Sequence, residues 1–403
     1  MEEIYQWIKS EAKFCNATHR FLHELITRLN ANGMAILRAV INIRTLHPEV
    51  GAITYQWYNE DLFLPAPSAV ILRHEQFPFP NAKVVMNIVK RSTFDSVAYK
   101  TSPFHSVRFE KKHIFDKLFL TESKDRYPIY EDLRTLGATC YYARELKFSD
   151  GERNVMTFAS AYPGGFTQQQ LDFLDSIFSY IASYVEIFSQ RRLMQTLLEL
   201  YLGEQTGRQV LRGQIQRGDV QKIQSVIWFS DLRGFSTLSQ KHEADIIGIL
   251  NRYFDTVAES LQQYGGEILK FIGDAILAIF PIEKDAETAA KAAFEAAVLA
   301  NLQLKQVNDK HKQEGLPAIK HGIGLHIGEI LYGNIGSRDR LDFTVIGNAV
   351  NIASRVESLC VKLGETILLS SELATHLPGK VQLLGEYDLK GIEEKQRVYV
   401  PKA

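Results

Sequence analysis

Cysteine is scarce in this chain. Cys15, Cys140 and Cys360 are three in 403 residues, odd in number and far apart. They exclude a disulfide framework and a thiolate metal cluster, and are expected to be reduced core thiols. An excess of charge is also missing, since 46 basic and 47 acidic side chains leave a formal net charge of −1. That balance gives no electrostatic ground for binding nucleic acid or a membrane surface. Long hydrophobic runs are absent as well. The most apolar stretch, Ser176 to Tyr184, ends at Glu186, short of the roughly 20 residues a spanning helix needs. Met1-Glu2-Glu3-Ile4 has neither the basic nor the apolar region of a signal peptide. The expectation is a cytoplasmic protein. Hydrophobic and charged contents of 45% and 23% are ordinary, and the length suits two or three domains.

Periodicity divides the chain. Apolar residues from Ile4 to Leu29 predict helix over residues 1 to about 30, stopped at Asn32-Gly33. Strands are predicted over Ile36 to Arg44 and Gly51 to Trp57, separated by His47-Pro48, with loop over Leu62 to Pro80. Tyr141 to Phe148 and Asn154 to Ala161 read as a hairpin across Ser149-Asp150-Gly151. Thr167 is a predicted cap for a helix from Gln168. In that helix, Phe173, Ile177, Tyr180, Tyr184, Ile187, Arg191, Met194, Leu198 and Tyr201 recur in steps of four and three, broken only by the arginine. This is a coiled-coil pattern, strongest for Ile187 to Tyr201, and a domain helix packing on its own core is the alternative for the first half. Residues 203–222, polar with four glycines, read as a connector. The predicted domains are therefore 1–185, a helical linker and transducer over 186–222, and 223–403.

In the last region the order is a strand over 223–230, a helix Asp245 to Tyr264, a hairpin Glu267 to Phe280 turning at Gly273-Asp274, and a helix Ala286 to Gln306. Strands Gly322 to Tyr332 and Leu341 to Ile346, helix Asn348 to Leu363, and closing strands Val381 to Leu389 and Arg397 to Val400 follow. This β-α-β-β-α-β order with late additions predicts a ferredoxin-like α/β sandwich.

Asp231 and Asp274 each close an apolar, strand-like run. Two carboxylates at adjacent strand ends can hold hard divalent cations, and paired cations can clamp both oxygens of a phosphoryl transfer. Each residue taken alone has a plainer reading: Asp231 as a turn residue, Gly273-Asp274 as a hairpin turn, Lys270 as a solvated lysine, and Asn351 and Arg355 as a surface pair on one helix face.

Jointly, the runs FSDLRGFS at 229–236, GGEILKFIGDAILAIF at 265–280, GLHIGEILYGNIG at 324–336, TVIGNAVNIASRVE at 344–357 and DLKG at 388–391 resemble the class III nucleotidyl cyclase catalytic domain. The resemblance spans about Ser225 to Pro401 and implies a role for each matching residue. Asp231, Asp274 and the Leu232 carbonyl would hold two Mg²⁺ or Mn²⁺ ions per active site. Lys270 would read adenine, with Thr344 at the second base-reading position, the variant of a bacterial and soluble threonine subgroup that includes bicarbonate-stimulated cyclases. Asn351 would orient the ribose, Arg355 would steady the pentavalent phosphorus, and Lys390 would meet the terminal phosphates. The implied activity is adenylate cyclase, ATP to 3′,5′-cyclic AMP and pyrophosphate. The alternatives are a guanylate cyclase, disfavoured by Lys270, and a catalytically silent nucleotide-binding module.

Two positions depart from the pattern. Glu329 stands where some relatives carry a phosphate-binding arginine, and Asp342 lies two residues before Thr344, on the same strand face. In the family the metal aspartates come from one subunit and Lys270, Thr344, Asn351 and Arg355 from its partner. The resemblance thus implies a homodimer with two equivalent sites. The closing part of the first region, 141–161 with Pro163-Gly164-Gly165-Phe166-Thr167 and the exit helix, resembles the end of a GAF domain, implying a regulatory domain for an unknown small ligand. His47, His74, His105 and His113 lack ligand spacing and are read as structural.

Overall fold

The structure, a computed structural model, describes residues 1–45, 50–59, 74–75, 84–123, 126–392 and 394–402. His47-Pro48 and the predicted loop from Leu62 to Pro80 lie outside the described residues, apart from residues 74–75. The chain divides into two compact units, Met1–Met194 and Gln195–Ala403.

The first unit begins with α1 (Glu2–Ser10) and α2 (Thr18–Ala31). The single helix expected there is broken. Asn16 adopts a left-handed φ of 60°, a conformation that its short polar side chain tolerates, and Ala17 is extended before α2 starts. β1 (Ile36–Arg44), β2 (Val50–Tyr58), β3 (His74–Glu75) and β4 (Val84–Lys90) lead to α3 (Val97–Lys100) and α4 (Pro103–Phe109). β5 (Ile114–Lys117), α5 (Ile129–Thr135), β6 (Cys140–Lys147), β7 (Arg153–Ser160) and α6 (Gln168–Leu202) complete it, α6 running past the unit boundary.

Its seven strands form one antiparallel sheet ordered β3-β4-β2-β1-β7-β6-β5. One core gathers α1, α2 and α6, with Phe21, Phe158 and Ile181 among its fully buried residues. A second gathers α4 and α5 around Tyr130 and Tyr141. The β6–β7 hairpin turns as expected, with Gly151 at φ 84° and Glu152 N–H donating to Asp150 Oδ1 at 2.8 Å. Thr167 also caps α6. Its Oγ1 accepts from Gln170 N at 3.3 Å while its own N–H donates to Gln170 Oε1 at 2.9 Å, the reciprocal pairing of a capping box. Along α6, Ile177 is buried and Phe173, Tyr180 and Tyr184 pack against the core, whereas Ile187, Met194 and Tyr201 are exposed.

In the second unit, α7 (Glu204–Leu211) occupies part of the polar stretch expected to be a connector. It forms because the buried Thr206 Oγ1 meets Tyr332 Oη at 2.9 Å and Glu267 Oε1 at 3.4 Å. Those partners come from distant strands, so no local propensity announces the helix.

β8 (Val220–Leu232), α8 (Phe235–Lys241), α9 (Ile246–Gln263), β9 (Glu267–Ile272), β10 (Ala275–Pro281), α10 (Ala286–Glu314) and β11 (His321–Gly336) follow. After them come β12 (Leu341–Ile346), α11 (Asn348–Leu363), β13 (Ile367–Ser370), α12 (Ser371–Ala374), β14 (Val381–Tyr387) and β15 (Gln396–Pro401). The sheet order is β14-β15-β13-β11-β8-β10-β9, with β12 paired to β11. Its central part, β11-β8-β10-β9, is antiparallel throughout, the arrangement a ferredoxin-like sandwich requires.

α9 and α10 bury one core against this sheet, with Trp228, Tyr253 and Leu325 fully enclosed. α11 packs directly on β11, and two glycines permit the approach. A Cβ at Gly324 would lie 2.4 Å from the Ala353 carbonyl oxygen, and one at Gly322 would lie 2.4 Å from Glu357 Oε1.

Cys140 and Cys360 are buried thiols as expected, but Cys15 is only half-buried, beside the break between α1 and α2, and all three are free. Among the described residues no helix is long and apolar enough to cross a membrane.

Candidate functional site

Asp231 stands near the end of β8, after four residues whose apolar side chains fill the cores on both faces of the sheet. Asp274 stands in the tight turn between β9 and β10, where Gly273 takes a φ of 65°. β8 and β10 pair Ser230 with Ile276, so both aspartates fall within two residues of one rung. The carboxyls come into mutual contact. Burial lifts the Asp231 pKa to about 6, and the neighbouring charge and hydrogen bond of Asp274 push the same way. Leu232 N–H donates to Asp231 Oδ1 at 2.9 Å and partly opposes the rise. Two acids forced together at this cost, at the mouth of a strand pair, fit a dication, which relieves both burial and repulsion.

Beneath the pair lies a polar layer. Ser230 Oγ accepts from Trp228 Nε1 at 3.0 Å and from Tyr253 Oη at 3.2 Å. His321, facing Leu232 across the β8–β11 ladder, is buried, and burial followed by the Arg233 charge lowers its pKa to about 4. Arg233 Nη2 donates to the carbonyls of Cys360, at 3.2 Å, and Glu365, which ties the end of β8 to the end of α11.

Glu357 was not singled out from the sequence. It lies on α11 four residues after the buried Ala353, at 5% exposure, and its pKa rises to about 7. Burial is the main cause and the Asp231 charge the next, with Arg233 opposing. The available signal was its helical spacing from Ala349 and Ala353, which puts it on the buried face.

The remaining predicted residues lie elsewhere on the unit. Lys270, on β9, is ion-paired with Asp342 on β12, and Thr344 is half-buried two residues along the same strand. Asn351 is exposed on α11, one turn before Arg355. The Arg355 guanidinium sits against the loop after β14, where a Cβ at Gly391 would be 3.5 Å from its Nη2, and the adjacent Lys390 is exposed. Glu329 is exposed and paired with Lys222 at 2.7 Å, so its charge is locally balanced. Lys270 and Arg355 thus have their own partners, Asp342 for the lysine and the Gly391 loop for the arginine.

Residues 219–402 match the model of the adenylate and guanylate cyclase catalytic domain, and the second unit carries such a domain. An adenylate cyclase of Anabaena cylindrica is 35% identical over 199 residues, covering 47% of this chain and 39% of that protein. The crystal structure of the adenylyl cyclase CyaB from P. aeruginosa is 29% identical, over 45% of this chain and 94% of that one, with a TM-score of 0.41. That of the guanylyl cyclase Cya2 is 31% identical, over 46% and 93%, with a TM-score of 0.40. The chain spans less than half the length of the curated relatives it matches first.

Proposed function

We propose that the protein is an adenylate cyclase that converts ATP to 3′,5′-cyclic AMP and pyrophosphate at two equivalent sites of a homodimer. The observation that carries this reading is the contact between the Asp231 and Asp274 carboxyls at the end of β8. Divalent cations held by these carboxylates and the Leu232 carbonyl would supply Lewis acidity to the ribose hydroxyl and to the leaving pyrophosphate.

The chain's own groups do the rest. Arg355 offers a planar fork of donors to charge that develops on the phosphorus oxygens, a contribution of about 10²–10³ in rate for one preorganised donor. Asn351, on the same helix face, orients the ribose. Lys390, beside Arg355, takes the terminal phosphates. Lys270 donates to an acceptor on the adenine edge, with Thr344 beside it. The curated relative of Anabaena cylindrica, named an adenylate cyclase, supports ATP as the substrate.

A site shared between two copies follows from the family resemblance, in which the metal aspartates come from one subunit and Lys270, Thr344, Asn351 and Arg355 from its partner. The exposed Ile187, Met194 and Tyr201 on α6 suit a coiled coil that would align them. The seven-stranded first unit is read as a GAF-like regulatory domain for a small ligand. Incubating the full chain with ATP or GTP and Mn²⁺ and identifying the products tests the proposal. Cyclic AMP is expected, cyclic GMP alone would make the protein a guanylate cyclase, and no cyclic product from either nucleotide would make it a silent module.

A further inference from the structure

The sheet of the first unit has two faces. One is apolar, with Ile41, Trp57 and Met86 in the core shared with α1, α2 and α6. The other is apolar only in part. On β7 and β6 it carries Val155, Ala159 and Ala143, which join the core beneath α4 and α5. The register pairs Ala159 with Arg38 and Val155 with Asn42, and pairs Asn42 in turn with Thr54 and Thr54 with Asn87. The same face therefore becomes polar across β1, β2 and β4, with Arg38, Asn42, Thr54, Gln56 and Asn87. These five side chains and Arg108 of α4 are all between 4% and 8% exposed. A buried face built only for packing would be apolar over its whole width.

Part of this polar layer is satisfied internally. Asn42 Nδ2 donates to Thr54 Oγ1 at 2.8 Å. The Arg108 guanidinium donates to Asn42 Oδ1 at 2.7 Å, to Tyr99 Oη at 2.6 Å and to the Arg153 carbonyl at 2.8 Å. All three acceptors are neutral, and burial lowers the pKa of this arginine. Glu152, the acid that acts on it, is paired with Arg44 at 3.4 Å. Two atoms are left over. Arg38 Nε and Asn87 Oδ1 are buried and have no hydrogen-bond partner among the described residues. Among those residues neither Arg38 nor Arg108 has a carboxylate at ion-pair distance. Buried charges are normally paired and buried polar atoms normally bonded.

We propose that this face of β1, β2 and β4 binds a small organic anion, its acid group on the Arg38 guanidinium and a hydrogen-bond donor at its other end on Asn87 Oδ1. The inference rests on the reading of the first unit as a ligand-binding domain, and gives that domain its residues and the chemistry of its ligand. Arginine offers a planar fork of donors that fits the oxygens of a carboxylate or a phosphate. Arg108 is held by neutral groups, so its charge adds to the positive potential over the layer. Asn87 lies two strands across and four residues along from Arg38, so a ligand that reaches both is elongated rather than a bare ion. Thr54 and Gln56 lie between them and offer polar contacts to its middle.

The experiment titrates the full chain, by ligand-observed NMR, with three probes of one length. ω-Hydroxyhexanoate has both ends, hexanoate lacks the donor and hexanediol lacks the acid. ω-Hydroxyhexyl phosphate repeats the first probe with the other acid group, and tight binding of either supports the site. Native protein is compared with Arg38→Met, Arg38→Lys and Asn87→Leu, and with Arg126→Met as a control, since Arg126 is paired with Asp116 away from this layer. Native protein is expected to bind an acid-ended probe saturably and hexanediol at least about tenfold more weakly. Arg38→Met should weaken ω-hydroxyhexanoate by about tenfold or more, and Arg38→Lys by less, because it keeps the charge but not the fork. Asn87→Leu should weaken ω-hydroxyhexanoate by about threefold and leave hexanoate unchanged. Arg126→Met should leave every affinity as it is. Without a probe, Arg38→Met should not lower the melting temperature, because it removes a buried charge that has no ion-pair partner.

No saturable binding of either acid-ended probe by native protein would overturn the inference and make the layer a hydrated structural one. An affinity unchanged in Arg38→Met would overturn it too. Hexanediol bound as tightly as ω-hydroxyhexanoate would also overturn it, while leaving the first unit a ligand-binding domain for a neutral molecule. ATP turnover at saturating ω-hydroxyhexanoate separates the site from its consequence. Binding that depends on Arg38 with turnover unchanged supports the site and ends the regulatory reading of the unit.

Discussion

Asp231 and Asp274 are costly neighbours, since two carboxyls in contact with one of them half-buried oppose each other's ionisation. Proteins keep such pairs where a cation or a shared proton stabilises them. Asp231→Ala and Asp274→Ala should each remove nearly all metal-dependent turnover while relieving the repulsion, so thermal stability without metal should not fall. Turnover retained in either variant at matched folding would count decisively against the site. Arg355→Ala should lower kcat by about 10² with a smaller change in KM, because its contact strengthens as charge develops. Glu357 gives a pH test free of metal. Burial raises its folded pKa to about 7, above the 4.5 of a free glutamate, so the folded state holds this proton more tightly than the unfolded chain. Its contribution to stability is whole below about pH 4.5 and is lost as pH rises through 7. The melting temperature of Glu357→Gln minus that of native protein should therefore grow by about 3 °C or more between pH 5 and pH 8. A gap that stays flat across that range would show that burial does not hold the proton on Glu357.

Elements place these residues through a few close approaches. α11 reaches β11 only because positions 322 and 324 carry no side chain, and this fixes Asn351, Arg355 and Glu357 together. Gly324→Ala would drive a methyl to 2.4 Å from the Ala353 carbonyl and from the Glu357 amide. It should destabilise the domain by about 1–3 kcal/mol and abolish turnover by displacing the helix. Gly248 in α9 is the control, with nothing within 4 Å of a built Cβ and no positive φ. Gly248→Ala should stabilise by about 0.5–1 kcal/mol. Urea unfolding midpoints measure both, and a shift of the same sign for the two would refute the packing argument. Similar logic applies to α7, where Thr206, Tyr332 and Glu267 form a buried hydrogen-bonded group that joins the helix to β9 and β11.

At the scale of the molecule, the proposed site takes its aspartates from one copy and its basic groups from another. Mixing Asp231→Ala with Arg355→Ala protein should restore partial activity, since a mixed dimer would keep one site with all its groups. If subunits are shown to exchange and no activity returns, the shared-site proposal fails. Each half-site inactive alone but complete across an interface would also make activity depend on protein concentration below the dimer dissociation constant.

The sequence by itself determined the elements whose signals are local. β1, β12 and α11 begin and end where periodicity and turn residues put them, and the Gly273-Asp274 turn joins β9 to β10. Thr167 carries its own capping chemistry, which is why α6 starts at Gln168. Tertiary structure decided the rest. The break at Asn16 sits inside a continuous helical pattern, and α7 sits in a glycine-containing polar stretch held by partners more than fifty residues away. β13 is four residues long, three of them apolar, too short for periodicity to type before it pairs in parallel with β11. For the proposed site, the five ordered runs that resemble the cyclase domain already pointed to Asp231, Asp274, Lys270 and Arg355. The burial of Glu357 and the hold of Asp342 on Lys270 required the packing of α11 on β11 and the approach of β12 to β9. Distance and desolvation set the charge on a carboxylate, and both belong to the folded chain.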